Sequence, residues 1–367
     1  MGIRTAQSQA ETVDVTLQDL RSQLGPATPS LVLYFASSRF DPAALSAGMQ
    51  AAFAPATVIG CTTAGEIGAG AMLKGAIVAM AFDADTVPEA HVQVLEGLSG
   101  DDPMPAAFGA FEAQTGVGMR DLDVDKYVGL ILVDGLSGAE ERLMDSIGDR
   151  TDVTFIGGSA GDDLAFKTTY VLAQGRAYTN AALLALLRVP RGVDVIKTQS
   201  FTPSDTVLVA TDVREATREV LAFNGRPAAA VYAEALNVAP DSLPGEFMSH
   251  PMGLMDGADP FVRSPQQVVD GGVRFYCAVR EGMELTVLTA TDMVEDTRVA
   301  LADAGARGAV QGIVNFHCIL RTLDLERRGQ TEAYGELFAR LPAIGFSTYG
   351  EEYIGHINQT ATMLVFR

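Results

Sequence analysis

The chain has 367 residues, 48% of them hydrophobic and 20% charged, which predicts two domains or one large two-lobed unit. Its net charge of −20 disfavours sequence-independent nucleic-acid binding and adsorption to anionic membranes, because both need Lys and Arg. The three cysteines are widely spaced and no long uncharged apolar run occurs, so we expect a cytoplasmic protein without a membrane span.

The first half of the chain predicts helices and strands in alternation. Asp41 is a plausible N-cap, with Pro42 at the first helical position. The elements predicted in chain order are helix 12–24, strand 31–37, helix 41–53, strand 57–63, strands 75–83 and 90–98, helix 104–116, a buried strand from 127, helix 139–151, a strand from 153 and hairpins over 164–189.

The second half begins after a Gly-Arg-Pro break near 222–227, where a new helix starts. Further strands are predicted at 273–279, 285–291, 312–320 and 361–367, and further helices at 293–305 and 328–341. We therefore predict an α/β protein with two lobes, in which mixed β-sheets are flanked by helices in a layered sandwich. The predicted divisions are an N-terminal extension at 1–25, one domain at 26–222 and another at 223–367.

Three related turns follow predicted strands. The first turn (59–66, IGCTTAGE) and the third turn (344–351, IGFSTYGE) share the pattern Ile-Gly-x-(Ser/Thr)-Thr-x-Gly-Glu. The second turn (156–162, IGGSAGD) is one residue shorter. In each of them, the first Gly permits close approach of another backbone, the hydroxyls shape a turn and the acid can accept N–H bonds.

These turns have two interpretations. They are strand ends whose acids cap helices, or they converge on a shared ligand pocket. Neither a phosphate-binding P-loop nor a dinucleotide-binding glycine pattern is present. The acidic residue in each turn also disfavours phosphate binding, because like charges repel. The pocket interpretation predicts these ligand-binding residues in the turns: Cys61, Thr62, Thr63, Gly65, Glu66, Gly157, Gly158, Asp162, Ser347, Thr348 and Glu351.

Motifs spread over most of the chain resemble the FIST family of sensory domains. The matching segments are 60–67 (GCTTAGEI), 133–147 (VDGLSGAEERLMDSI), 155–162 (FIGGSAGD), 224–232 (NGRPAAAVY), 315–321 (NFHCILR) and 345–360 (GFSTYGEEYIGHINQT). They are similar to a FIST N domain followed by a FIST C domain.

The resemblance implies a sensor of a small ligand in bacterial signal transduction. Amino-acid-like ligands have been proposed for the family, and some members look like haem-based nitric-oxide sensors. Such members act on a histidine kinase or on a cyclic-di-GMP enzyme, so a separate output partner is expected here. Haem is the only cofactor that this resemblance implies.

Several further residues have more than one possible role. Arg321 could bind a ligand carboxylate or pair with Glu66 or Glu351, and Asn358 could line the same pocket. His356 is the leading candidate for a haem ligand, against a hydrogen-bonded structural role. Cys61 suggests a cysteine-dependent enzyme as an alternative function, although the matching position in the third turn is Phe346. A ligand-free interaction scaffold is the remaining alternative, and we expect no enzyme activity.

Overall fold

A computed structural model describes residues 2–367 and divides them into two compact units. The first unit contains the residues up to Lys197 together with Arg298–Gly355 and Ala361–Arg367, and the second contains Thr198–Thr297 and His356–Thr360. Both units combine helices with β-sheets, so the predicted mixed α/β class is confirmed. Among residues 2–367, no helix is long and apolar enough to cross a membrane.

The helices are α1 (Val13–Leu24), α2 (Pro42–Phe53), α3 (Met104–Thr115), α4 (Glu140–Gly148), α5 (Ala228–Ala235), α6 (Leu243–Glu246), α7 (Met293–Arg307), α8 (Ile319–Arg328) and α9 (Thr331–Glu336). The strands are β1 (Ile3–Ser8), β2 (Leu31–Ser37), β3 (Thr57–Thr63), β4 (Glu66–Gly68), β5 (Ala71–Leu73), β6 (Ile77–Phe82), β7 (Glu89–Glu96), β8 (Tyr127–Val133), β9 (Phe155–Ser159), β10 (Val171–Ala173), β11 (Arg176–Tyr178), β12 (Ala181–Arg188), β13 (Val193–Gln199), β14 (Phe201–Arg214), β15 (Glu219–Phe223), β16 (Arg226–Pro227), β17 (Met252–Asp256), β18 (Asp259–Arg263), β19 (Pro265–Val269), β20 (Gly272–Phe275), β21 (Glu284–Ala290), β22 (Gly312–Cys318), β23 (Ala343–Thr348), β24 (Glu351–Tyr353), β25 (His356–Ile357) and β26 (Thr360–Phe366).

The first unit is built from three sheets that share one apolar core. Their strand orders are β1-β6-β2-β3-β10-β11, β24-β9-β8-β12-β7 and β13-β26-β22-β23-β4-β5. Each contains one parallel pair joined through helical structure: β2–β3, β8–β9 and β22–β23. In the core, the Phe35 ring lies 4.4 Å from Phe346 and 6.1 Å from Phe316, so residues of the first and third sheets pack together.

The chain passes from one sheet to another at each of the three related turns. After the first turn, β4 leaves the β3 sheet and pairs with β23. After the third turn, β24 leaves the β23 sheet and pairs with β9. After the second turn, β10 leaves the β9 sheet and pairs with β3. The three turns therefore connect the three sheets in a closed cycle, which explains why the motif occurs three times.

The second unit contains one larger sheet. Its strand order is β18-β17-β21-β14-β15-β20-β19, and β16 pairs with β15. Helix α5 packs on this sheet, and Tyr232 from the helix is buried with Phe223 and Phe275 from the strands.

Candidate functional site

The first glycine of each turn is required by close contact with a neighbouring strand. A Cβ atom on Gly60 would lie 2.1 Å from the Tyr34 carbonyl oxygen. The same atom on Gly157 would lie 1.6 Å from the oxygen of Ile131, and on Gly345 it would lie 2.3 Å from that of Asn315. Since real Cβ atoms do not approach other atoms below 3.0 Å, these positions require glycine.

Backbone hydrogen bonds join the three turns directly. The bonds, as donor N and acceptor O, are Ala64–Ser347 (3.2 Å), Ser347–Gly65 (2.7 Å), Gly161–Thr62 (3.0 Å), Tyr349–Ser159 (3.0 Å) and Ser159–Gly350 (2.9 Å). Side chains are equally close, because a Cβ atom on Gly158 would lie 2.4 Å from Cγ2 of Thr348. The predicted convergence of the turns is therefore present within the first unit.

The two glutamates that close the longer turns are buried and bound within their own turns. Thr63 Oγ1 donates to Glu66, and Thr348 Oγ1 donates to Glu351 at 2.5 Å, so the two turns use the same spacing. The second oxygen of Glu66 accepts the Ala76 N–H at 2.9 Å. Both carboxyl groups thus stabilise turn geometry, and Glu66 has a hydrogen-bond partner on each oxygen.

Burial raises the pKa of Glu66 from its usual 4.5 to about 8. The hydrogen bonds from Thr63 and Ala76 act in the opposite direction, as does the Arg39 charge, while the nearby Asp163 charge raises this pKa further. The Glu66 side chain therefore takes up a proton within a pH range that is accessible to experiment.

The acid of the second turn, Asp162, holds the loop that follows it. Its carboxylate accepts the N–H groups of Phe166 (2.8 Å), Lys167 (2.6 Å) and Thr168 (3.0 Å) and the Tyr349 hydroxyl (2.5 Å). Desolvation by burial opposes ionisation, but these donors together hold the pKa of Asp162 below its usual value. The charged form of Asp162 therefore organises residues 163–168.

This loop is strained and partly apolar on its outside. Asp163, Leu164 and Phe166 have φ values of 53°, 66° and 50°, a region that residues other than glycine rarely adopt. The Phe166 ring is 57% exposed and stacks on Tyr349, with centroids 4.9 Å apart. The Tyr349 hydroxyl also accepts the Leu164 N–H at 2.9 Å, so the third turn supports the loop of the second.

Replacing Asp162 with Asn is expected to destabilise the protein at neutral pH by about 1–3 kcal/mol. The Asn side chain has one oxygen where Asp has two, so at least one of the partly buried donors loses its acceptor. Because the pKa of Asp162 is lowered on folding, its contribution is full above about pH 4 and is lost as pH falls through the folded value. Urea unfolding of both proteins across this range measures the effect. The exposed change Asp85→Asn is the control, and an unchanged stability of Asp162→Asn at neutral pH would contradict the assignment.

A cavity of about 270 Å³ lies beside Asp162 in the first unit. It is lined by Ser38, Phe40, Pro42, Thr62, Asp162, Ala165, Lys167, Thr168 and Tyr170. Two of these residues, Thr62 and Asp162, belong to the ligand-binding set predicted from the sequence. The cavity is therefore the candidate ligand site to which the turns contribute.

Cys61 lies in the core of the first unit, not on this cavity. The side chain is fully buried, and burial together with the nearby Glu352 charge raises the pKa of the thiol well above its usual value. A nucleophilic thiol needs the opposite shift. The geometry therefore disfavours the enzyme alternative, in which Cys61 is the nucleophile.

Arg321 is almost completely buried near the start of α8. Beside it, His317 is completely buried, and desolvation with the Arg321 charge lowers the pKa of this imidazole well below its usual value. The Tyr334 hydroxyl lies 3.0 Å from His317 Nδ1, and Asn315 Nδ2 lies 3.4 Å from the same hydroxyl. Ser347 Oγ lies 2.8 Å from Thr322 Oγ1, so this predicted residue also lies in a buried polar environment.

The two remaining predicted residues, His356 and Asn358, are buried and belong to the second unit. Their role in binding therefore stays a prediction. Within residues 2–367, no group of three or more His, Cys, Asp and Glu is placed to hold a metal ion.

The sequence did not indicate Ser38, Phe40, Lys167 or Tyr170 as site residues. All four lie in loops, and they carry no motif of their own. The signal that could have found Lys167 is its position five residues after Asp162, in a loop that the Asp162 carboxylate holds.

The comparisons with known proteins identify the family. A model of the FIST N domain matches residues 30–226, and a model of the FIST C domain matches residues 228–353. The uncharacterized protein MJ1623 of Methanocaldococcus jannaschii is 23% identical over an alignment of 194 residues that covers 48% of this chain and 37% of that protein. This chain thus matches little more than a third of that relative. FIST domains are generally small-ligand sensor domains of signal transduction. Because the FIST N model alone covers more than half of the sequence, this chain belongs to the FIST family of sensory domains.

Proposed function

We propose that this protein senses a small ligand in the cavity beside Asp162 and passes the signal to a separate protein. The observation that carries the proposal is the position of the cavity. Thr62 from the first turn and Asp162 from the second turn line it, in a chain of a sensory family.

The loop 163–168 supplies a route from ligand to surface. Ala165, Lys167 and Thr168 line the cavity, while Leu164 and Phe166 of the same loop are exposed. A ligand that favours one arrangement of the loop would therefore change the surface that a partner meets. Such a switch requires that the ligand bind the two arrangements with different affinity.

A histidine kinase or a cyclic-di-GMP enzyme is the output partner that we propose. The support for it is the family resemblance, together with the exposed apolar side chains on the loop. An amino-acid-like ligand and haem with nitric oxide are the two ligand types that the family resemblance suggests.

The haem version needs an iron ligand facing an apolar pocket. Four of the cavities formed by residues 2–367, with volumes of 190 to 460 Å³, have neither His nor Cys in their walls. These cavities do not fit a haem group. His356 of the second unit is the haem ligand that we propose for this version.

Mass spectrometry of the small molecules released by denaturation tests the proposal. We expect the wild type to release a compound in near-stoichiometric amount and Ala165→Trp, whose added ring fills the cavity, to release little of it. Val124→Trp adds the same ring at an exposed position that does not line the cavity and is the control.

Two outcomes would contradict the proposal. The first is no released compound from any of the three proteins, and the second is equal release from all of them. An absorption spectrum of the same samples tests the haem version, which requires a Soret band that is lost in His356→Ala.

A further inference from the structure

We infer that the cavity beside Asp162 binds a small organic carboxylate with an apolar body. The inference rests on the proposed function of the same cavity and names the chemical class of its ligand. It depends on which polar groups of the wall are already bonded and which remain available.

The carboxylate in the cavity wall, that of Asp162, already has hydrogen-bond partners on both oxygens. The Asp162 carboxylate accepts four hydrogen bonds, from three N–H groups and the Tyr349 hydroxyl. The neighbouring Asp163 carboxylate accepts from Ser37 Oγ at 2.8 Å, Ser38 N at 3.1 Å and Ser38 Oγ at 2.7 Å. Asp162, which lines the cavity, therefore has two donors on each carboxylate oxygen, whereas the three bonds to Asp163 all fall on Oδ2 and Asp163 is not part of the cavity wall.

The groups that remain available are hydrogen-bond donors. Within residues 2–367, Lys167 Nζ has no ion pair, and neither Thr168 Oγ1 nor the Tyr170 hydroxyl has a hydrogen-bond partner. An ammonium group has three donors and no acceptor, and the hydroxyls can both donate. A ligand group that matches this wall is rich in acceptors and carries negative charge, as a carboxylate does.

Part of the wall is apolar. Phe40, Pro42 and Ala165 supply it, and the Arg39 guanidinium lies over the Phe40 ring at 4.5 Å from its centroid. The volume of about 270 Å³ limits the ligand to a short chain or a small ring. An amino acid would bring an ammonium group that loses part of its hydration, and the one carboxylate in the cavity wall, that of Asp162, already accepts four hydrogen bonds.

Three molecules with the same carbon chain test this assignment: pentanoate, pentanamide and norvaline. Their dissociation constants are measured by NMR titration with the wild type, with Lys167→Gln and with Ala165→Trp. We expect pentanoate to bind at least about tenfold more tightly than the other two. We expect Lys167→Gln to remove that preference and Ala165→Trp to weaken binding. Lys74→Gln removes an exposed lysine outside the cavity and is the control.

The outcomes separate this inference from the proposed function. If norvaline or pentanamide binds as tightly as pentanoate, and Ala165→Trp blocks it, the cavity stands but the carboxylate class is wrong. Pentanoate binding that neither variant changes would place the ligand elsewhere and overturn the inference. No binding of pentanoate at millimolar concentration overturns it as well, whereas the proposed function fails only if no compound depends on the cavity.

Discussion

Replacing Gly157 with Ala is expected to cost at least about 3 kcal/mol of folding stability, because the new methyl group would lie 1.6 Å from the Ile131 carbonyl oxygen. That oxygen belongs to the parallel partner strand β8, whose backbone is held on both sides in the sheet. The clash cannot be relieved by rotating a side chain. Urea unfolding followed by circular dichroism measures the loss, and aggregation on expression would be its extreme form.

Gly109→Ala provides the matched control for this change. Gly109 lies in α3, and an added Cβ there meets no atom within 4 Å. Alanine is favoured over glycine in a helix by about 0.5–1 kcal/mol, so this variant should be slightly more stable than the wild type. Equal stability of the two variants would show that the close contact at Gly157 is not as described.

Replacing Glu66 with Gln is expected to remove much of the stability loss that the wild type shows as pH rises from 4.5 to about 8. The folded pKa of Glu66, about 8, lies above the unfolded value of 4.5, so the folded state binds the proton more tightly. The stability of the wild type therefore falls as pH rises from 4.5 to 8, at up to about 1.4 kcal/mol per pH unit, and then levels off. Gln imitates the protonated acid, since its amide can donate to Thr63 and its oxygen can accept from Ala76.

The comparison is made by urea unfolding at a series of pH values from 5 to 9. We expect the two proteins to be similar near pH 5 and the variant to be clearly more stable at pH 8. Glu11→Gln removes one negative charge at an exposed position and controls for the change in net charge. A difference between wild type and Glu66→Gln that does not change with pH would contradict the assigned burial of the carboxyl group.

Elements with strong local signals could be predicted from the sequence. Helix α2 begins at Pro42 as predicted, because Asp41 accepts the Ala44 N–H at 2.6 Å. The predicted helix at 328–341 forms only between Thr331 and Glu336. Two glycines explain the difference: Gly329 ends α8 in a left-handed conformation, and Gly335 packs closely against the Ala71 backbone.

Non-local pairings could not be predicted in the same way. β1 pairs with β6, which lies some seventy residues further along the chain, and the motif turns carry the chain between sheets. Long β14 was missed because Pro203 and its polar residues obscure the alternation of a strand. At the candidate site, the repeated motif indicated Thr62 and Asp162, but Lys167 and Tyr170 reach the cavity only through loop geometry.

A crystal structure of the protein, grown with the compound that it releases on denaturation, tests most directly whether the cavity beside Asp162 is the ligand site. We expect electron density for that compound in the cavity, between Phe40, Lys167 and Tyr170. We also expect the loop 163–168 to contact the compound. Electron density for the compound elsewhere in the protein, with only water in the cavity beside Asp162, would contradict this assignment of the ligand site.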